Sequence, residues 1–303
     1  MTALPLQTFF NASAQPGQSE PFLYSGLFEA SAATALEHDH FVVASDEINR
    51  LQIYRRGTSG PVGSVQLKKF IGSLKSDIEA SARIGRRIYW ITSHSRKDGS
   101  KGGAKKRSVL FATKIGGKGG PPKLRGVGTP HRKLRKAIRN ATGIEPRHIN
   151  IEGLADTSEG MLLIGFRSPL ASNGNALVLP LKNPAAVTQK GRSPRFGKLL
   201  ELDLGGLGIR SIDRLDMADA SYLILAGPQT DEGDRFALYS WTGGTEAPVQ
   251  ISELKINDFK AEALVFYPES RTIQILSDDG TAMHDDEKTP EQERRFRSID
   301  MHY

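Results

Sequence analysis

A chain of 303 residues is long enough for one large β domain or two average ones, and its formal charge is +7. It contains no cysteine, which excludes disulfides, thiolate metal sites and a cysteine nucleophile. No apolar run approaches the roughly 18 residues of a membrane span. The opening "MTALPLQTFFNASAQPG" lacks the basic and apolar regions of a secretory signal. A cytoplasmic protein is therefore expected, although the same features fit a periplasmic one.

The charge is unevenly placed. Between Arg96 and Arg139 stand 15 Lys or Arg residues against a single acid, Asp98, so the remainder of the chain is acidic. A patch of one sign attracts ligands of the other, and the question of an anionic partner attaches to that segment.

In chain order, five similar units follow one another. The first is "GLFEASAATALEHDHFVVASDEINRLQIY" with "GSVQLKKF", and the second "SDIEASARIGRRIYWITSHSR" with "RSVLFATKI". The third is "NIEGLADTSEGMLLIGFRSPLASNGNALVLPL" with "GKLLELDL", and the fourth "GIRSIDRLDMADASYLILAGPQTDEGDRFALYSW" with "APVQISEL". The fifth is "FKAEALVFYPESRTIQILSDDG" with "RRFRSIDM". Each opens with a short strand carrying a charged residue, turns into a more apolar strand, and passes through a polar loop to an alternating third strand.

Units of this kind cannot cover both faces of a sheet alone, so they stack around an axis. The pattern predicts an all-β fold, a five-bladed β-propeller spanning 1–303 as a single domain. A basic insertion at 96–141 is expected within the second blade. The rival is a six-bladed ring with a degenerate blade in Gly116–Ala141. The last unit stops after its third strand, and "LPLQTFF" or "EPFLYS" from the N-terminus is expected to supply the fourth and remove an exposed edge.

In such a blade the start of the first strand and the end of the second share one face. The strand-opening residues Glu29, Glu79, Glu152, Arg210 and Glu262 would then meet at the channel mouth. Converging carboxylates repel one another, and burial worsens this. A hard cation such as Ca²⁺, which takes 6 to 8 oxygen ligands, would relieve the repulsion. Arg210, Ser31, Ser81 and backbone N–H groups could also do so without metal.

Around this ring the polar loops place His94, a group that can carry protons near neutral pH, with Arg96 and Arg167. Arg107, Arg210 and Asp46 join them as candidate substrate-binding residues, since a guanidinium fork suits phosphate or carboxylate. Inter-blade ion pairs with Asp46, Glu47, Asp156 and Asp278 are the structural alternative. Ser93 and His94 point to opposite sides of a strand and do not form a dyad.

The basic segment divides in two. "RKDGSKGGAKKR" and "GGKGGPPKLRG" read as flexible loops. "TPHRKLRKAIRNATG" reads as a helix capped by Thr129, with Pro130 first, Leu134 and Ile138 docked on the rim, and Gly143 as its stop. Its other face would offer Arg132, Lys133, Arg135, Lys136 and Arg139 to nucleic acid. Aromatic residues for stacking on single strands are absent.

The strings "EASAA", "DIEASARI", "RIYWITSHSR", "INIEGLA", "LLIGFRSPL" and "GIRSIDR" resemble a bacterial family known only as a domain of unknown function. More distantly, the ring of strand-opening Glu and Ser residues is similar to that of the soluble calcium-activated nucleotidases, or apyrases. That resemblance implies a central Ca²⁺ held at Glu29, Glu79, Glu152 and Glu262, with Arg210 departing from the pattern. The expectation is a cation-dependent hydrolase of phosphate esters or related anionic small molecules. A non-catalytic scaffold binding ligand, protein or nucleic acid is the alternative.

Overall fold

Alternating apolar residues and frequent turns resolve into five four-stranded antiparallel sheets in a ring, a five-bladed β-propeller. The computed structural model describes residues 19–96, 106–117, 121–215, 222–230, 232–254, 259–278, 290 and 293–303. "LPLQTFF", the loop "HDDEK" and most of "RKDGSKGGAKKR" lie outside them. No helix among the described residues is long and apolar enough to cross a membrane.

The first strand in sequence, β1 (Phe22–Ser25), belongs to the last blade. Blade 1 comprises β2 (Ala32–Ala35), β3 (His40–Ala44), β4 (Arg50–Arg55) and β5 (Gly63–Gln66). Blade 2 comprises β6 (Ile78–Ile84), β7 (Arg87–Thr92), β8 (Leu110–Gly116) and β9 (Lys123–His131). It is followed by helix α1 (Leu134–Thr142). Blade 3 comprises β10 (Asn150–Asp156), β11 (Leu162–Ser168) and β12 (Ala176–Leu181), then helix α2 (Pro184–Lys190) and β13 (Leu200–Leu202). Blade 4 is β14 (Gly208–Arg214), β15 (Tyr222–Gly227), β16 (Phe236–Trp241) and β17 (Val249–Leu254). Blade 5 is β18 (Ala261–Tyr267), β19 (Thr272–Ser277) and β20 (Arg295–His302), completed by β1.

Ring closure uses "EPFLYS". Its strand pairs with β20 from Phe22↔Ser298 to Ser25↔Arg295. Tyr24 is the anchor, with ring centroids 5.2 Å from both Phe41 and Phe296 and 5.4 Å from Tyr54. An aromatic cluster drawn from blades 1 and 5 thus seals the junction.

The core is not one cluster but five, each between neighbouring blades. Trp90 and Phe111 of blade 2 pack with Val42 and Ile53 of blade 1, for example, while Trp241 and Ile224 of blade 4 pack with Val178 of blade 3. One sheet face cannot be buried without the next, so stability grows with closure. Hydroxyls stitch the inner strands across blades. Ser31 Oγ donates to the Ile78 carbonyl (2.6 Å), and Ser81 Oγ to that of Ala33 (2.9 Å). These serines therefore serve the backbone rather than the ring of carboxylates.

The stretch Gly116–Ala141 forms no sixth blade. Its residues 123–131 pair with β8 as the fourth strand of blade 2. Thr129 and Pro130 consequently end a strand instead of starting a helix, which begins only at Leu134. The open edge of β8 and a burial site for Leu124 outweigh the local capping preference. Leu134 and Ile138 are fully buried as expected, and Gly143 (φ +74°) ends the helix in the left-handed region.

Candidate functional site

The register of the inner strands explains how the charged residues reach the channel. In β6, Ile78 pairs with Thr92 and Ala80 with Ile91, so Glu79 is an extra residue on its strand. The same skip occurs at Glu152 (Ile151↔Phe166, Gly153↔Gly165), at Arg210 (Ile209↔Ala226, Ser211↔Leu225) and at Glu262 (Ala261↔Ser277, Ala263↔Leu276). A bulge bends the strand and re-aims a side chain. Four blades use it at the same place, and Glu29 of blade 1 stands in an isolated bridge with Asp278 of blade 5.

All five strand-opening residues line one cavity of about 550 Å³ at the mouth. Eight carboxylates reach it: Glu29, Asp46, Glu47, Asp77, Glu79, Glu152, Glu262 and Asp278. Five cationic side chains face them: Lys75, Arg107, Arg167, Arg210 and Lys260. Of the candidates from sequence, Arg107, Arg167, Arg210, Asp46 and the four glutamates meet here.

His94 and Arg96 are not among the residues lining it. Arg96 is exposed. His94 is fully buried, with Nδ1 2.7 Å from the Thr92 carbonyl and Nε2 without a partner. Burial, helped by the charges of Arg135 and His131, lowers its pKa to about 4, so the ring stays neutral at physiological pH.

The mouth has two electrostatic halves. On the side of blades 3 to 5, Arg210 (4 % exposed) lies between Glu152, 3.1 Å from its Nη1, and Glu262, which accepts from its Nη2. Arg167 Nη1 donates to Glu152 at 3.0 Å while its Nε holds the Pro228 carbonyl at 2.9 Å. Asn150 adds a bond to Glu152 at 2.9 Å. Burial still lifts Glu262 well above the usual carboxylate range against the pull of Arg210. Among the described residues these arginines form ion pairs with Glu152 and Glu262, and Asp156 pairs with Arg214 (3.4 Å).

On the side of blades 1 and 2, Glu29, Asp46 and Glu79 lack such compensation among the described residues, whereas Asp77 and Glu47 each have a cationic partner. The ligand oxygens of Glu29, Asp46 and Glu47 lie within 4.8 Å of one another, and so do those of Asp46, Asp77 and Glu79. Asp46 is common to both groups. Burial first, then Asp46 and the charges of Asp278 and Glu47, push Glu29 up to about 10. Glu79 is likewise raised by burial and by Asp77. Glu29 Oε2 and Asp46 Oδ1 are buried with no hydrogen-bond partner.

Asp77 went unnoticed in the sequence. It sits in the left-handed region (φ +64°), accepts from Ser93 Oγ and, at 2.8 Å, from Arg107 Nη1. Burial raises it to about 6 although Ser93 and Arg107 pull it down. The signal was the dipeptide before the second Glu, "SD", unreadable without knowing that the backbone turns there. Lys75, which pairs with Glu47, was equally hidden.

The Arg167 backbone is held by packing. A Cβ at Gly208 would stand 2.1 Å from the Arg167 carbonyl oxygen. Gly208→Ala is therefore expected to destabilise the fold by about 1–3 kcal/mol, the range of overpacking, measured by urea unfolding. It should also displace Arg167 from Glu152.

Comparison with known proteins places the chain as follows. No curated protein matches it in sequence. Similar solved structures include Myxococcus xanthus glutaminyl cyclase, at 12% identity and a TM-score of 0.49, covering 93% of this chain and 95% of that one. The PQQ-bound aldose sugar dehydrogenase of Streptomyces coelicolor has 11% identity and a TM-score of 0.47, with 94% and 99% covered. The RRP9 WD40 repeats have 9% identity and a TM-score of 0.47, with 95% and 98% covered. Residues 146–268, from the start of blade 3 into blade 5, match the family described as "Protein of unknown function (DUF3616)", and the sequence resemblance to a family of unknown function is thereby upheld over that stretch.

Proposed function

We propose that the mouth binds a divalent cation together with an anionic small molecule and hydrolyses a phosphate ester. The observation that carries this reading is the division of the cavity: two carboxylate triads sharing Asp46 face guanidinium groups across about 550 Å³. Hard oxygen donors in this number suit Ca²⁺ or a similar ion. The unpartnered oxygens of Glu29 and Asp46 fit that role.

Glu29, Asp46, Glu47, Asp77 and Glu79 would hold the cation. Glu152 and Glu262, already paired with arginines, orient the cationic wall instead. When bound, the cation supplies Lewis-acid polarisation of a phosphoryl oxygen. Arg107, one-fifth exposed, presents a guanidinium to the opening and neutralises the ester's charge. Arg167 and Lys260 extend that wall. The likeness of the glutamate ring to that of the calcium-activated nucleotidases favours a cation at the mouth, but the ligands proposed here keep only Glu29 and Glu79 of its four glutamates, Glu152 and Glu262 being paired with arginines.

The test is phosphate release from p-nitrophenyl phosphate, its diester and nucleoside triphosphates, with Ca²⁺, Mg²⁺ or Mn²⁺ and with chelator. Cation-dependent release that falls at least about 100-fold in Arg107→Ala is expected, as for lost transition-state charge stabilisation. No release with any cation would overturn the hydrolytic reading.

A further inference from the structure

Of the five basic residues on the predicted helix, three are engaged by the protein itself. Arg132 donates to the Ile71 carbonyl, Arg135 Nε to that of Pro146 at 3.0 Å, and Arg139 lies 3.4 Å from Glu145. Lys133, just ahead of α1, and Lys136 on it remain exposed. The helix alone is thus a weaker anion platform than its sequence suggests.

The structure adds a second basic stretch that is distant in sequence. Residues 160–200 contain no acid but carry Lys182, Lys190, Arg192, Arg195 and Lys198, all exposed, beside the mouth residue Arg167. Helix α2, which leads into that run, packs on β9, the outer strand of blade 2. The contact leaves no slack. A Cβ at Gly128 of β9 would stand 2.2 Å from the Thr188 carbonyl oxygen, and Arg87 Nη2 donates to Gln189 at 3.2 Å. On β9 itself Lys123 and Arg125 are exposed on either side of the inward Leu124. β9 spans about 30 Å at 3.3 Å per residue and leads directly into α1.

We propose that this composite edge of blades 2 and 3 binds the phosphate backbone of double-stranded nucleic acid. Lys123, Arg125, Lys133, Lys136, Lys190 and Arg192 make the contacts. Three observations select this partner. Among the described residues the exposed large apolar side chains are Phe22, Leu23, Val62, Leu74, Val249 and Ile251, none of them on this edge. A protein interface would show an apolar core there. A membrane-surface helix would turn its apolar face outward, but Leu134 and Ile138 are buried in the core. The edge also lacks the exposed aromatic platforms that hold single strands. Regularly spaced phosphates over tens of ångströms match what is left.

The experiment is fluorescence anisotropy of a labelled 20-base-pair duplex from 50 to 200 mM salt, with the full chain. Six phosphate contacts predict a slope near −5 in log K against log salt, about a thousandfold loss over that range. Lys190→Glu/Arg192→Glu should reduce the slope by about 2, and Lys123→Glu/Arg125→Glu by the same amount. The charge-removing pair Lys190→Gln/Arg192→Gln must also flatten the slope. Absence of duplex binding at 50 mM overturns the proposal. So does a slope insensitive to residues 190 and 192, or binding to phosphatidylserine vesicles in place of duplex. Duplex binding retained in Asp46→Asn, which strips the mouth of its shared carboxylate, shows that this surface stands apart from the hydrolytic reading. Loss of duplex binding in that variant would overturn it.

Discussion

Replacing Arg210 with methionine is expected to destabilise the protein by about 3–5 kcal/mol, the cost of breaking a buried ion pair from one side. In a domain of this size that lowers the melting temperature by on the order of 10 °C. The reason is local. Arg210 is the cation between Glu152 and Glu262, whose side chains are 5 % and 10 % exposed, and the variant leaves Glu262 with no ion-pair partner. Glu262 is raised above the ordinary carboxylate range even with its arginine present, so removing the arginine raises it further. The sign follows. A carboxyl that protonates more readily folded than unfolded loses stability as pH rises above its unfolded value. The deficit of Arg210→Met should therefore be largest near neutral pH and shrink as pH falls toward 4, read from melting curves across pH. Adding Glu262→Gln should return most of the lost stability, because Glu152 keeps Arg167 as its partner. If Arg210→Met melts like the parent at pH 7.5, the buried ion network contributes nothing and the description of this half of the mouth is wrong.

The second large effect concerns the other half. Saturating Ca²⁺ is expected to raise the melting temperature by several degrees, since a ligand at 100 times its dissociation constant adds about 2.7 kcal/mol. Asp46→Asn should abolish this rise, because Asp46 belongs to both carboxylate triads, whereas Glu47→Gln removes one ligand from a single triad and should only weaken it. Without cation the protein should show a pH dependence of the same sign. Glu29 is raised to about 10 and Asp77 to about 6 by burial, so the cation-free fold should lose stability as pH climbs from 5 to 9. Calcium should flatten that decline, because it compensates the same charges. A cation-free protein whose melting temperature is level from pH 5 to 9, and unmoved by Ca²⁺, Mg²⁺ or Mn²⁺, would remove the basis for placing a metal at Glu29, Asp46 and Glu79.

The sequence by itself determined the propeller architecture and the identity of the ring. Five recurrences of a charged residue ahead of an apolar strand favoured five blades, and the six-bladed rival fell only with the pairing of residues 123–131 to β8. Glu29, Glu79, Glu152, Arg210 and Glu262 could be named from that repeat because period and position survive where detail does not. That a closing strand comes from the N-terminal segment was readable for the same reason, since a missing fourth strand must be supplied from somewhere; the structure chose "EPFLYS".

What only the tertiary structure decided was which charges neutralise which. The sequence treats the four glutamates as equivalent, but Arg210 reaches across the channel to Glu152 and Glu262 and leaves Glu29 and Glu79 without a cation. His94 looked suited to the mouth and is instead fully buried, since β7 ends at Thr92 and the backbone turns into the left-handed region at His94 (φ +55°). Residues 123–126 read as loop and 129–131 as the start of a helix, and the stretch became a strand because β8 offered an unpaired edge. Asp77 and the basic run after α2 acquired significance only through neighbours far away in the chain. Repetition along a chain is a one-dimensional property, legible in letters, whereas ion pairing and edge pairing depend on distances of a few ångströms between segments that closure of the ring alone brings together.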